Sequence, residues 1–275
     1  MILINGKQQS QLDFSDRGLQ YGDGLFETIA IKQARPVFLD QHLQRLITGC
    51  QALQIPCPEV SVLKNEIDIV LAKQNTAVIK IIITRGSGGR GYQQPDNIQP
   101  TRIIARYDAP NYEDVFWKKG VKVRFCNSRL GHNPRLSGIK HLNRLEQVLA
   151  RSEWRSSEYQ EGLMLDIKDN VIEGTMSNLF VIKKNCLYTP SLKLCGIKGV
   201  VREIILQTAT ELQINTQETQ LQKQQCYDAD ELFLTNSIIG LWPIRQLEQN
   251  QFEIGPITQQ ILRKFNEYQD LNLCR

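Results

Sequence analysis

The sequence contains few of the residues that build disulfide frameworks and metal centres. Its seven cysteines are an odd number without a Cys-x-x-Cys motif, and only three histidines accompany them. Such spacing predicts neither a disulfide framework nor a zinc site. We therefore assign no metal from the sequence and expect a protein of the reducing cytoplasm.

Long apolar runs and strong charge are also missing. No stretch approaches the roughly 18 to 20 apolar residues that span a membrane, and residues 1–14 do not have the pattern of a signal peptide. The net charge is +4, and the 33 Lys and Arg residues are spread along the chain without a basic, aromatic-rich stripe. We expect a soluble protein that binds neither a membrane nor a nucleic acid.

The length and the apolar pattern predict two domains that mix strands and helices. A chain of 275 residues that is 41% hydrophobic can bury a substantial core. We predict a small N-terminal α+β domain at residues 1–113 and a larger C-terminal domain at residues 114–275, with the boundary in a polar stretch at 108–120. Periodicity predicts strands at 1–7, 25–32, 77–84, 101–107, 121–126, 162–167, 179–183, 187–189 and 231–235, and helices at 39–53, 60–72, 200–212 and 258–269.

Two segments of the larger domain carry most of the chemical information. Residues 137–146 read SGIKHLNRLE and residues 171–180 read VIEGTMSNLF, so they supply Lys140 and Glu173. Leu142, Leu145, Val148 and Leu149 recur at helical spacing after the lysine. This spacing predicts an apolar helix face that begins just beyond Lys140, which would then lie at the start of a helix.

These segments resemble the fold type IV pyridoxal phosphate enzymes, which include branched-chain and D-amino acid aminotransferases and aminodeoxychorismate lyase. The resemblance extends through YGDGLFET at 21–28, HLQRL at 42–46 and ELFLTNS at 231–237. It implies an α+β fold with a small α/β N-terminal domain and a larger domain that contains a mixed β pseudo-barrel surrounded by helices. It also implies the coenzyme pyridoxal 5′-phosphate and a homodimer.

Within this family, RGSGGRGY at 85–92 and RLGHNP at 129–134 are most similar to the lyase of folate synthesis. The resemblance therefore implies conversion of 4-amino-4-deoxychorismate to 4-aminobenzoate and pyruvate. Lys140 and Glu173 alone would suit transamination equally well, so a D-amino acid or branched-chain amino acid aminotransferase is the alternative enzyme. A coenzyme-binding module without catalysis is a third interpretation.

The resemblance assigns coenzyme-binding roles to residues in several segments. Lys140 holds the coenzyme as a Schiff base and, once released, acts as the base, while Glu173 keeps the pyridine nitrogen protonated. Asn178 either bonds to the coenzyme or its glutamate, or stabilises a turn. The groups expected to bind the phosphate are the Arg45 side chain, the backbone N–H groups of Val200 and Val201 at a helix start, and Asn236 or Ser237.

The proposed substrate-binding residues lie in the N-terminal domain. Arg90 is expected to bind a substrate carboxylate through its planar fork, although a glycine-rich loop can also leave it in solvent. Tyr92 lies in the same loop, and Thr28 is either a pocket hydroxyl or an ordinary strand residue. For Arg45 the alternative is a surface ion pair with Asp40 or Glu66.

Overall fold

The protein is described by a computed structural model that covers residues 1–72 and 74–274. Lys73, Arg275 and the side chain of Cys274 lie outside the described residues. The chain forms two compact units. Unit 1 comprises Met1–Pro110, Ile139–Asn143 and the residues from Asn272 onward, and unit 2 comprises Asn111–Gly138 and Arg144–Leu271. The domain ranges 1–113 and 114–275 stay a prediction, and Lys140, which they place in the larger domain, lies in unit 1.

Unit 1 contains an antiparallel sheet and helices. Its elements are β1 (Ile2–Ile4), β2 (Lys7–Gln8), α1 (Arg17–Tyr21), β3 (Gly24–Lys32), β4 (Arg35–Pro36), α2 (Leu39–Leu53), α3 (Val60–Leu71), β5 (Ala77–Thr84) and β6 (Thr101–Tyr107). The strand order is β2-β1-β6-β5-β3-β4. Because side chains alternate along a strand, Leu25, Ile29 and Ile31 point to one face of β3 and pack in the core that α2 and α3 share with the sheet.

The segment that carries Lys140 is extended rather than helical. It runs beside the first residues of β3, where the N–H of Phe26 donates to the Lys140 carbonyl and the N–H of Leu142 donates to the Gly24 carbonyl. Leu25 and His141 form an antiparallel bridge. This pairing uses the backbone groups that a helix would need, so the prediction of a helix just beyond Lys140 is wrong.

Unit 2 contains a mixed sheet, and its helices lie between, before and after the strands along the chain. Its elements are α4 (Val115–Lys118), β7 (Val121–Leu130), α5 (Leu145–Arg151), β8 (Glu161–Asp166), β9 (Val171–Gly174), β10 (Asn178–Lys183), β11 (Cys186–Pro190), α6 (Val200–Glu211), β12 (Thr216–Thr219), α7 (Lys223–Tyr227), β13 (Glu231–Asn236), β14 (Gly240–Leu247), β15 (Asn250–Gln251) and α8 (Pro256–Cys274), whose residues from Asn272 onward are grouped with unit 1. The strand order is β12-β11-β10-β13-β14-β7-β8-β9, with β15 on β14. The β7 strand is parallel to both of its neighbours, and β9 and β10 are antiparallel to theirs. The predicted α+β fold with a mixed sheet is confirmed.

The helix after Lys140 begins at Leu145, and its two leucines and its valine point away from the core. Leu145, Val148 and Leu149 are 75%, 60% and 60% exposed, whereas Gln147 and Ala150 of the same helix are buried. The leucines and the valine do lie on one helix, as their spacing predicts, but the face that they form is exposed to solvent. None of the described helices combines the length and apolarity that crossing a membrane requires.

Candidate active site

The amine of Lys140 lies over an aromatic ring of unit 1. Its Nζ atom is 4.3 Å from the centre of the Phe26 ring. The backbone pairing described above places Lys140 and Phe26 side by side on the sheet face opposite the core. The lysine is partly buried there, which restricts the positions that its amine can reach.

A second lysine lies at the same ring and was not predicted from the sequence. The Nζ atom of Lys80 is 5.2 Å from the centre of the Phe26 ring. Lys80 is opposite Thr28 in the register of β3 and β5, so the hydroxyl and the amine share one face of the sheet. The signal in the sequence was a single charge inside the apolar run AVIKIIIT. No carboxylate of the described residues forms an ion pair with Lys80.

Arg45 is fixed by a buried carboxylate. Its Nε and Nη2 atoms donate to the two oxygens of Glu27 at 2.7 and 2.6 Å, which is a forked charge-assisted contact. His42 also contacts Glu27, with its Nδ1 atom 2.6 Å from Oε2. The expected surface partners of Arg45 are occupied elsewhere, because Asp40 pairs with Lys64 and Glu66 pairs with Arg102.

Glu27, Arg45 and His42 form a largely buried polar cluster, the Glu27 group. Burial would raise the pKa of Glu27, but the charge and hydrogen bonds of Arg45 and His42 outweigh burial and lower this pKa to about 2. Burial lowers the pKa of His42, although its bond to Glu27 opposes the change. At neutral pH the group therefore consists of a carboxylate, a guanidinium and a neutral imidazole.

Glu173 lies on β9 in unit 2 and is held from two sides. Its Oε2 atom accepts a hydrogen bond from the N–H of Ile197 at 2.8 Å, and its Oε1 atom lies 3.5 Å from Nε2 of Gln147. The residue is 3% exposed. Burial lowers the pKa of Arg144, and the carboxylates of Glu173 and Glu146 oppose this shift. A buried carboxylate is thus kept beside a guanidinium in this unit.

The start of α6 offers backbone donors to an anion. Val200 and Val201 are its first residues and are buried, and Gly199 precedes them without any side-chain cap. The Nδ2 atom of Asn178 donates to the Ile197 carbonyl at 2.9 Å, which fixes the approach to the helix. A Cβ atom at Gly199 would lie 2.1 Å from Oδ1 of Asn178, so any larger residue would have to displace the Asn178 side chain. Asn178 therefore shapes the turn, and the first N–H groups of α6 point out of it.

Asn236 is the last residue of β13, and Ser237 follows it in the turn that leads to β14 of the same unit. Asn236 donates to the Met176 carbonyl at 3.1 Å and accepts from the N–H groups of Ile238 and Ile239. Asn236 therefore stabilises two turns, while Ser237 is partly exposed beside it.

The glycine-rich loop of unit 1, residues 85–92, carries its two predicted substrate-binding side chains on the surface. Arg90 is exposed, and Tyr92 is 87% exposed with its ring 5.6 Å from that of Tyr21. By contrast, Arg85 at the start of the loop is buried and binds Asp23 through two nitrogens. Arg85 thus anchors the loop, and Arg90 and Tyr92 lie at its surface.

The family profile of the class IV amino-transferases matches residues 24–247. The chain belongs to this family. It is similar to the aminodeoxychorismate lyase of Vibrio harveyi, with 34% identity over 270 residues that cover 97% of this chain and 100% of that protein. Among solved structures it is similar to the 4-amino-4-deoxychorismate lyase of Pseudomonas aeruginosa, with 39% identity, a TM-score of 0.93 and coverage of 97% and 98%. The branched-chain aminotransferase of Escherichia coli gives 27% identity, a TM-score of 0.87 and coverage of 97% and 93%.

Proposed function

We propose that this protein is a pyridoxal phosphate-dependent lyase that converts 4-amino-4-deoxychorismate to 4-aminobenzoate and pyruvate, a step toward folate. The observation that carries the choice of reaction is the greater similarity of the whole chain to the lyases of Vibrio harveyi and Pseudomonas aeruginosa than to the branched-chain aminotransferase of Escherichia coli. The choice of coenzyme follows from the family and from the side chains of the candidate site.

The residues present fit pyridoxal phosphate. The coenzyme needs an amine, an anion for its ring nitrogen and donors for its phosphate, and the chain supplies Lys140, Glu173 and the uncapped start of α6. Gly199 keeps that helix start accessible to backbone contact because a side chain there would collide with Asn178. We propose that Val200, Val201, Ser237 and Arg45 hold the phosphate, with Asn236 and Asn178 shaping the two turns.

When bound, the coenzyme supplies a sink for the electrons of a broken C–H bond. Lys140 has two tasks. Its Nζ atom would hold the coenzyme, and once free of it the same atom would remove the ring proton from the amine-bearing carbon of the substrate. The proton on Nζ is then available to the departing enolpyruvate, which becomes pyruvate as the ring becomes aromatic.

The substrate carries two carboxylates, so its binding requires cations. Lys80 is a partly buried cation on the sheet face that carries Lys140, and Thr28 opposite it adds a hydroxyl donor. We propose that Lys80 and Thr28 bind one carboxylate. Arg90 and Tyr92, which lie at the surface of the loop, are proposed to bind the other when the loop contacts the substrate.

The alternative is an amino acid aminotransferase, and the two reactions differ in their need for an acceptor. A lyase restores its resting state in every cycle without a keto acid. We expect purified protein to release pyruvate and 4-aminobenzoate in equal amounts from enzymatically made aminodeoxychorismate without added 2-oxoglutarate. Strict dependence on a keto acid, or amino-group exchange with D-alanine or a branched-chain amino acid and no 4-aminobenzoate, would favour the aminotransferase.

We also propose a homodimer in the cytoplasm. The described cysteines that the structure records as free thiols agree with a reducing compartment. Leu145, Val148 and Leu149 lie on one exposed face of α5, and clustered exposed apolar side chains are typical of protein contacts. Sedimentation of the wild type should give twice the mass of the chain, and Val148→Asp should shift it toward the monomer. An unchanged mass in that variant would exclude this face.

A further inference from the structure

Three potential metal ligands of different chemical types meet in unit 2, outside the residues assigned above. Within the described residues, His132, Asp166 and Cys195 each place a ligand atom within 4.8 Å of the other two. The Nε2 atom of His132 is 2.9 Å from Oδ2 of Asp166. These residues are far apart in the sequence, so their spacing does not have the pattern of a metal site.

The carboxylate of this cluster is held in a fixed orientation. Its Oδ1 atom accepts from the N–H groups of Lys168 and Asn170 at 2.8 and 2.9 Å. Its Oδ2 atom accepts from Nδ2 of Asn170 at 3.0 Å and lies 2.9 Å from Nε2 of His132. Cys195 is fixed by its neighbours, because the Leu194 carbonyl accepts from Asn133 and the Gly196 carbonyl accepts from Gly138. Ligands that are oriented by such surrounding hydrogen bonds bind a metal with little reorganisation.

The set of donors selects the kind of metal. A thiolate, an imidazole and a carboxylate together suit Zn²⁺, which binds sulfur at about 2.3 Å and nitrogen or oxygen at about 2.0 to 2.2 Å. Tetrahedral ligands at these distances are separated by about 3.3 to 3.7 Å, so side-chain adjustments of about 1 Å or less bring the three atoms into range. Three protein ligands leave a fourth position for water.

The charge of the cluster suits a cation. The Asp166 carboxylate supplies negative charge beside Nε2 of His132, and a carboxylate oxygen attracts a divalent cation. Asp166 also lines a cavity of about 200 Å³, whose lining includes Lys193 but neither His132 nor Cys195. The position of the ion is therefore inferred from the three ligand atoms alone.

We propose that His132, Asp166 and Cys195 form a binding site for one Zn²⁺ ion. On binding, the metal would replace the hydrogen bond between Nε2 of His132 and Oδ2 of Asp166, any proton on Nε2 would pass through solvent to Nδ1, and the Cys195 thiol would release one proton to solvent. Because Gly196 and Ile197 follow Cys195 directly, the ion would lie next to the segment that holds Glu173.

The test is metal binding by the intact holoenzyme after treatment with a chelator and dialysis against Zn²⁺. We expect wild-type protein to retain one equivalent more zinc than Cys195→Ser, and His132→Gln to bind this equivalent at least tenfold more weakly. Co²⁺ serves as a second probe, since a thiolate ligand gives it a near-ultraviolet charge-transfer band. That band should be present in the wild type and absent from Cys195→Ser.

The matched control is Cys226→Ser, which replaces another buried cysteine of unit 2 outside the cluster. It should bind zinc and cobalt like the wild type. His132 is partly exposed, so His132→Gln keeps the test valid if the cysteine variant is poorly folded. Equal zinc content in the wild type, Cys195→Ser and His132→Gln, including no zinc in any of them, would overturn the proposal.

Discussion

The N–H of Ile197 donates a hydrogen bond of 2.8 Å to the carboxylate of Glu173. Only Lys198 and Gly199 separate Ile197 from Val200, the first residue of α6. One short segment therefore orients the anion proposed for the ring nitrogen and begins the helix proposed for the phosphate. A change in this segment is expected to alter both contacts together.

Glu173→Gln should reduce turnover far more than folding stability. The amide nearly preserves the shape of the side chain, but it cannot stabilise a protonated ring nitrogen by charge. A nearby opposite charge shifts a pKa by 1 to 3 units, so the rate of 4-aminobenzoate formation should fall by roughly 10- to 1000-fold. Glu158→Gln, on the exposed surface of the same unit, is the control. Turnover equal to wild type would remove Glu173 from the mechanism.

Lys80→Met should weaken substrate binding without loss of stability. A charge-assisted hydrogen bond contributes about 1.5 to 3 kcal/mol, so kcat/KM for aminodeoxychorismate should fall roughly 10- to 100-fold. The melting temperature should not decrease, because the substitution removes a charged group that has no acidic partner from a strand that is otherwise apolar. Lys64→Met changes an exposed lysine of unit 1 and should behave like the wild type. Unchanged kcat/KM in Lys80→Met would exclude a substrate contact.

Arg90→Ala tests whether the exposed loop contributes to binding. We expect the coenzyme spectrum to be unchanged. The value of kcat/KM should fall, and the loss of transition-state stabilisation should be at most that of one charge-assisted hydrogen bond, roughly 1.5 to 3 kcal/mol. Arg90→Lys should recover only part of the loss, since an ammonium lacks the planar fork. Full activity of the alanine variant would show that Arg90 stays in solvent during turnover.

The Glu27 group should make unit 1 sensitive to acid. The pKa of Glu27 falls from 4.5 to about 2 on folding, so its contribution is present above pH 4.5 and is lost as the pH falls toward 2. This difference corresponds to about 3 kcal/mol. The lowered pKa of His42 acts in the same direction from about pH 6.5 downward.

Urea unfolding at a series of pH values measures this contribution. Glu27→Gln should be less stable than the wild type at pH 7, and the difference should shrink as the pH is lowered below 4.5. The exposed Glu113→Gln is the control. A constant difference across this range would contradict the pKa assigned to Glu27.

Sequence patterns predicted most strands because alternation and β-branched runs such as residues 77–84 report directly on the sheet. They also predicted α2 and α6. They failed at residues 139–149, since the same apolar spacing marks a buried face or an exposed one, and only pairing with β3 shows that Lys140 is extended. The role of Glu27 depends on the packing of α2 against β3, and that of Lys80 on the register between β3 and β5, and no local pattern contains either.

The attachment point of the coenzyme tests the central claim most directly. Borohydride reduction of purified holoenzyme, followed by digestion and mass spectrometry, identifies the lysine that carries the pyridoxyl group. The account predicts that this lysine is Lys140 and that Lys140→Ala forms no pyridoxyl peptide and no 4-aminobenzoate. A pyridoxyl group on Lys80 or Lys198 in the wild type would contradict it.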